Sequence, residues 1–169
     1  MTSRPSRLHH HAFVVADQER TRAFYEDIIG LPLVETWCES GDDGDYCHTF
    51  FELEDGGCLA FFQFADPAVQ AANSTPSKSV YDHVALHASR EVQSAIATRA
   101  EEAGLFTVCI DHGYCSSLYL PDPDGLLVEI TVDSPAATAD APARRAAARS
   151  ELDRWRAGNH RDNNSFRAH

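Results

Sequence analysis

Two histidines stand at matching points of two similar strands: His10 in LHHHAFVV (8–15) and His83 in YDHVALHA (81–88). Side chains alternate along a strand, so His10 shares a face with Leu8, Ala12 and Val14, and His83 with Tyr81, Ala85 and His87. Pairing the two copies about a pseudo-twofold axis turns both imidazoles towards one cavity. Glu129, on the last strand of the second copy at the position aligned with Phe61, supplies a third donor. Two imidazoles and one carboxylate with open positions make a donor set for non-haem Fe(II), and Mn(II) and Zn(II) occupy similar sets.

A repeated unit must position these groups. Each His strand precedes a helical stretch (18–29 and 91–103), and each helix stops at Gly-Leu, Gly30-Leu31 and Gly104-Leu105. Further on, residues 46–67 lie without gaps over 114–135, matching Tyr46-Cys47 to Tyr114-Cys115, Phe51 to Tyr119, Gly57 to Gly125 and Pro67 to Pro135. Each half then reads as strand, helix and further strands with glycine turns. Neither half buries a sheet face alone, so the expected fold is α+β: paired βαβββ modules (8–67 and 80–135) forming a curved eight-stranded sheet around a metal-binding cavity. Residues 1–135 form that domain, and 136–169 form a linker (134–143) and a helical tail beginning at Pro142.

The 169 residues carry a net charge of −12, and the distribution is uneven. Residues 136–169 hold seven arginines against four acidic residues, a net +3 that leaves −15 on residues 1–135. An acidic body is a poor partner for polyphosphate, so nucleic acid is set aside. No apolar run approaches the roughly 18–20 residues of a membrane span, and no signal peptide is read at the start, so a cytoplasmic protein is expected. Five cysteines without a C-x-x-C pair read as reduced thiols. The basic tail is expected to dock on its own core or on a sister subunit of a homodimer or higher homo-oligomer.

The run from His10 to Asp17, then Phe24-Tyr25 and Gly30-Leu31, repeated at His83 and closed by DPDGLLVE, resembles the vicinal oxygen chelate superfamily of glyoxalases, bleomycin-resistance proteins and dioxygenases. Within it, Ile110-x-His112, five residues, Leu118-Tyr119, two residues, Asp122-Pro123-x-Gly125, three residues and Glu129 resemble the signature of extradiol ring-cleavage dioxygenases. That resemblance implies Fe(II) on His10, His83 and Glu129, a small catechol and O2 as substrates, Tyr119 on the catecholate oxygen and His112 behind it. Larger members place an acid/base histidine where this chain reads Gly56-Gly57-Cys58. His48 and His87 are the candidates to replace it, a neutral imidazole being suited to proton transfer near pH 7. Phe61, Phe51 and Gln63 are expected to line the cavity. The alternatives are a redox-neutral metal-dependent lyase, isomerase or thiol transferase, and a metal-free protein that binds an aromatic drug.

Overall fold

A computed structural model describes residues 4–74 and 79–167. The chain divides into two compact units, the first comprising 1–83 with 121–127 and the second 84–120 with 128–169. All eight expected strands are present, hydrogen-bonded as two sheets of four. In the first sheet β1 (His10–Val14), β2 (Leu33–Gly41), β3 (Gly44–Glu52) and β4 (Cys58–Phe64) run in the order β1-β4-β3-β2. Strand β1 is parallel to β4, and the other pairs are antiparallel. In the second, β5 (His83–His87), β6 (Val108–Asp111), β7 (Cys115–Pro121) and β8 (Leu127–Asp133) repeat that order as β5-β8-β7-β6.

Helix α1 (Gln18–Arg22) starts where the Asp17 carboxylate accepts from Arg20 N, satisfying an end donor. It continues as a π-helical segment, Ala23–Ile29, and stops at Gly30, whose φ of +92° few other residues adopt. Its apolar side lays Tyr25 on the sheet, with ring centroids 4.5 Å from Phe61 and 5.7 Å from Phe51. All three rings are fully buried, and each contributes about 2–3 kcal/mol through the area it removes from water. Helix α3 (Arg90–Glu102), capped by Ser89, buries Ile96 and Ala100 in the second unit, whose core also includes Leu118, Leu120, Val128 and Ile130.

Two glutamines tie helix to sheet and set the true register of the repeat. Gln18 Nε2 donates to Phe61 O (2.8 Å) and Cys47 O (3.3 Å), while Gln93 Nε2 donates to Ile130 O (2.7 Å) and Ser116 O (3.0 Å). The main chain agrees: Val15 N donates to Phe62 O and Ala88 N to Thr131 O, and Leu53 N to Gly57 O as Asp122 N does to Leu126 O. Phe61 therefore corresponds to Ile130, and the gap-free alignment is one residue out of step. The residue equivalent to Glu129 is Ala60, and that equivalent to Tyr119 is Phe50.

Three local features complete the fold. The segment 39–45 is a hairpin in which β2 and β3 pair as far as Gly41 and Gly44. The Asp66-Pro67 step starts a short helix α2 (Pro67–Asn73), with the Asp66 carboxylate accepting from Ala68 N and Val69 N. Helix α4 spans Pro135–Arg156, so the proposed linker is helical. Alanines on both sides of Pro142 carry the helix through the hydrogen bond that a proline cannot make.

Candidate active site

In the first unit, the face of the sheet away from α1 carries His10, His48, Phe50 and Phe62. His10 and His9 share a hydrogen bond between their Nδ1 atoms at 2.8 Å, and the His10 ring packs edge-on to Phe50 (5.6 Å) and His48 (6.2 Å). His48 lies flat on Phe62, 3.6 Å between centroids at 16°, and 4.3 Å from Phe50. Its Nε2 is buried without a hydrogen-bond partner. Burial lowers the imidazole pKa below its ordinary value, and the nearby His10 lowers it further, so the ring is neutral at pH 7. Beside this face a cleft of about 660 Å³ is lined by residues that include His83, His11, Asp82 and Asp124.

In the second unit a buried carboxylate ends a short chain of hydrogen bonds. Glu129 on β8 is 6% exposed. The Tyr119 hydroxyl on β7 donates to Glu129 Oε1 at 2.7 Å, and His112 Nε2 lies 2.9 Å from the same hydroxyl oxygen. Because the phenol proton points to Glu129, His112 is the donor in its bond, with the proton on Nε2. Burial and then the Glu129 carboxylate push the Tyr119 pKa up to about 12, so the phenol keeps its proton across the physiological range. The Tyr114 ring stacks beside His112 at 5.8 Å, at an interplanar angle of 24°.

Two expected cavity residues belong to the packing instead. Phe61 is fully buried under Tyr25, and Gln63, two residues on and on the same face, accepts from Gln18 N (2.9 Å) at the start of α1. Phe51 is buried in the same layer. The one-residue shift explains all three, because it turns the face expected to be inward towards the helix. His87 is exposed, its Nε2 lying 3.9 Å from Asp133 Oδ2. Sequence reasoning missed Gln18 and Gln93, the glutamines that set the strand register. Their signal was a glutamine in the first turn of each helix.

Among the described residues, no three His, Cys, Asp or Glu side chains are gathered as a metal-binding group. His10 and His83 belong to one compact unit and Glu129 to the other. The donors themselves suit a divalent ion. Glu129 is a buried carboxylate oriented by a phenol, as a ligating carboxylate is oriented by an outer partner, and the orphaned His48 nitrogen lies beside His10. Imidazole and carboxylate together favour Mn(II), Fe(II) or Zn(II).

A family model described as Glyoxalase/Bleomycin resistance protein/Dioxygenase superfamily matches residues 7–130. The chain is 29% identical over 132 residues to the glutathione transferase FosA of Serratia marcescens, covering 77% of this chain and 83% of that protein. Among solved structures, it resembles the fosfomycin resistance protein FosX of Listeria monocytogenes, in a mutant form complexed with Mn(II) and 1S,2S-dihydroxypropylphosphonic acid, with a TM-score of 0.61 and 18% identity over 80% of this chain and 99% of that one. It also resembles a Bacillus subtilis protein provisionally called a dioxygenase, with a TM-score of 0.59 and 21% identity over 75% of this chain and 40% of that one. At these identities the two structures speak for the fold. No helix among the described residues is long and apolar enough to cross a membrane. The family match over residues 7–130, on two βαβββ modules, makes this chain a member of the glyoxalase, bleomycin-resistance and dioxygenase superfamily.

Proposed function

We propose that this chain is a divalent-metal-dependent enzyme that adds a thiol or water to a small electrophile, such as an epoxide, without consuming O2. The observation that carries the reading is the chain His112 to Tyr119 to Glu129, a phenol kept neutral and aimed at a buried carboxylate. The similarity to FosA, a glutathione transferase, supports the redox-neutral branch over iron-dependent ring cleavage. The metal ligands in this reading are His10, His83 and Glu129. A divalent ion bound there supplies Lewis-acid polarisation of the substrate oxygen.

In the reaction, the sulfur or water oxygen forms a bond to carbon as the C–O bond of the epoxide breaks. The proton of the nucleophile ends on the released oxygen. As that negative charge develops, the single Tyr119 proton would turn from Glu129 Oε1 towards the released oxygen, while His112 keeps its Nε2 hydrogen bond to the phenol oxygen and holds the ring in place. Four of the five arginines of α4 are engaged by carboxylates of the same helix: Arg144 by Asp140, Arg149 and Arg156 by Asp153, and Arg154 by Glu151. On an acidic body this favours a substrate without a dianionic head group.

The test is to load the purified protein with Mn(II), offer glutathione or water with a panel of small epoxides, and follow the adduct by mass spectrometry beside an O2 electrode. Adduct formation without O2 uptake is expected. Extradiol ring cleavage of a catechol is the second reading, favoured by the Ile110-to-Glu129 signature and by the contact between its Tyr119 and His112. O2 uptake with a yellow ring-opened product from the Fe(II)-loaded protein, and no thiol or water adduct, would replace the first reading by the second. The expected homodimer is part of this proposal, and sedimentation velocity of the loaded protein tests it.

A further inference from the structure

The C-terminal segment after α4 folds back across the loop that presents His112. That loop, Asp111-His112-Gly113, is closed by Gly113 N donating to Asp111 Oδ1 (2.7 Å) and His112 N donating to Cys115 O (2.9 Å). The His112 carbonyl accepts from Asn164 Nδ2 at 3.0 Å. Gly113 has φ +78°, and a Cβ built there would lie 2.2 Å from Phe166 O and 2.5 Å from Arg167 N, so the segment crosses the loop where no side chain fits. The segment is anchored to α4 along its length. Arg154 Nη1 donates to Asn159 O (3.0 Å), Asn163 Nδ2 donates to Glu151 Oε2 (2.9 Å), and the Arg144 guanidinium sits 5.3 Å from the centre of the Phe166 ring.

We infer that residues 159–167 form a strap that fixes His112 against Tyr119, with Asn164 as its positioning residue and Gly113 as the site over which it passes. Two contacts already orient the imidazole ring, the Tyr119 hydroxyl at Nε2 and the Tyr114 ring alongside. Neither holds the main chain of the loop, which lies between two strand ends and is held from outside by Asn164. Loss of that hydrogen bond frees the loop to carry His112 away from the phenol while both strands keep their pairing. The value of the strap to turnover rests on the proposed role of the His112–Tyr119–Glu129 chain, whereas its hold on His112 does not.

The experiment uses the full chain with Asn164→Ala, Asn164→Gln, Gly113→Ala and the double variant Asn164→Ala/Gly113→Ala. The His112 ring resonance in histidine-labelled protein, assigned with His112→Asn, is read beside kcat and KM. Asn164→Ala is expected to shift that resonance and to lower kcat about 5-fold, the effect of losing one ordinary hydrogen bond, with KM unchanged. Asn164→Gln is expected to restore part of both. Gly113→Ala, which both displaces the strap and strains a left-handed backbone, is expected to shift the same resonance, and the double variant to cost less than the sum of the single changes, since the strap contact is shared. An unmoved His112 resonance in folded Asn164→Ala protein, or fully additive effects, would overturn the inference. If the resonance shifts while Tyr119→Phe and His112→Asn turn over normally, the strap stands and the proposed catalytic role of the chain fails.

Discussion

Replacing Tyr119 by Phe removes one oxygen from the centre of the proposed site and leaves the ring in its place on β7. The lost bond is short, 2.7 Å from the hydroxyl to a carboxylate that is 6% exposed, and bonds to a charged group are worth about 1.5–3 kcal/mol. If the phenol acts where charge develops in the transition state, that energy appears in kcat as a loss of about 10- to 150-fold. If it only orients Glu129, the loss appears instead as weaker metal binding and a lower melting temperature. The discriminating assay therefore combines kcat and KM on the Mn(II)-loaded variant with its metal content and its thermal melt. A fall in kcat with one metal retained per chain is expected. Wild-type kcat in the Phe variant, or loss of the metal with the activity, would remove Tyr119 from the chemistry.

Gln93→Ala leaves the carbonyls of Ser116 and Ile130 without their donor and should lower the urea-derived stability by about 2–4 kcal/mol; a change under about 0.5 kcal/mol would show that the glutamine is dispensable to the second sheet. Tyr25→Phe deletes the hydroxyl that donates to Asp122 Oδ2 at 3.0 Å between two buried groups, and the melting temperature should fall by about 5 °C in differential scanning calorimetry. His48→Leu removes a buried nitrogen that has no partner and should raise stability by about 1 kcal/mol. The same variant tests a pH effect. Burial lowers the folded-state pKa of His48, so its contribution to stability is present above about pH 6.5, the unfolded value, and is lost as the pH falls through the lower folded value. Melting curves from pH 5 to 8 should fall less steeply towards acid in the Leu variant, and parallel curves for the two proteins would contradict this.

The elements were legible because punctuation and periodicity mark them. Gly30 and Gly104 end the helices at the expected places, and the strand around each first histidine appears within two residues of its reading at each end. The phase of the repeat was not legible. Asp55-Gly56-Gly57 offers two glycines, and identity of Gly57 with Gly125 under the Tyr-Cys match chose the wrong one. Conformation decides between them: Gly56 and Gly125 have φ of +77° and +89°, while Gly57 has no positive φ. Only a turn glycine with positive φ marks the end of a hairpin, and sequence letters do not carry φ. A shift of one residue exchanges the faces of a strand, which is why Phe61, Phe51 and Gln63 were read as cavity walls. The strap was illegible for another reason. Asn164 and His112 are far apart in sequence, and no local pattern announces a side-chain amide on a loop carbonyl.

The corrected register also shows how the two modules differ at the points where the proposed Tyr119 and Glu129 stand. Tyr119 and Glu129 correspond to Phe50 and Ala60, so the two modules place opposite kinds of group at the same points. In the second module the pair is a phenol and a carboxylate, which together keep a proton beside a buried charge. In the first, the equivalent positions are apolar, and the imidazole of His48 is held between aromatic rings with its Nε2 unpaired. A second carboxylate at position 60, where Ala60 is fully buried and the equivalent of Tyr119 is Phe50, would bring a desolvation cost without the phenol hydrogen bond that Glu129 receives. Ala60→Glu should therefore lower the melting temperature, whereas Glu129→Ala should keep a cooperative melt and lose the proposed activity. The duplicated backbone supplies two equivalent sites, and the asymmetry of hydrogen-bond donors leaves one of them able to carry a charge.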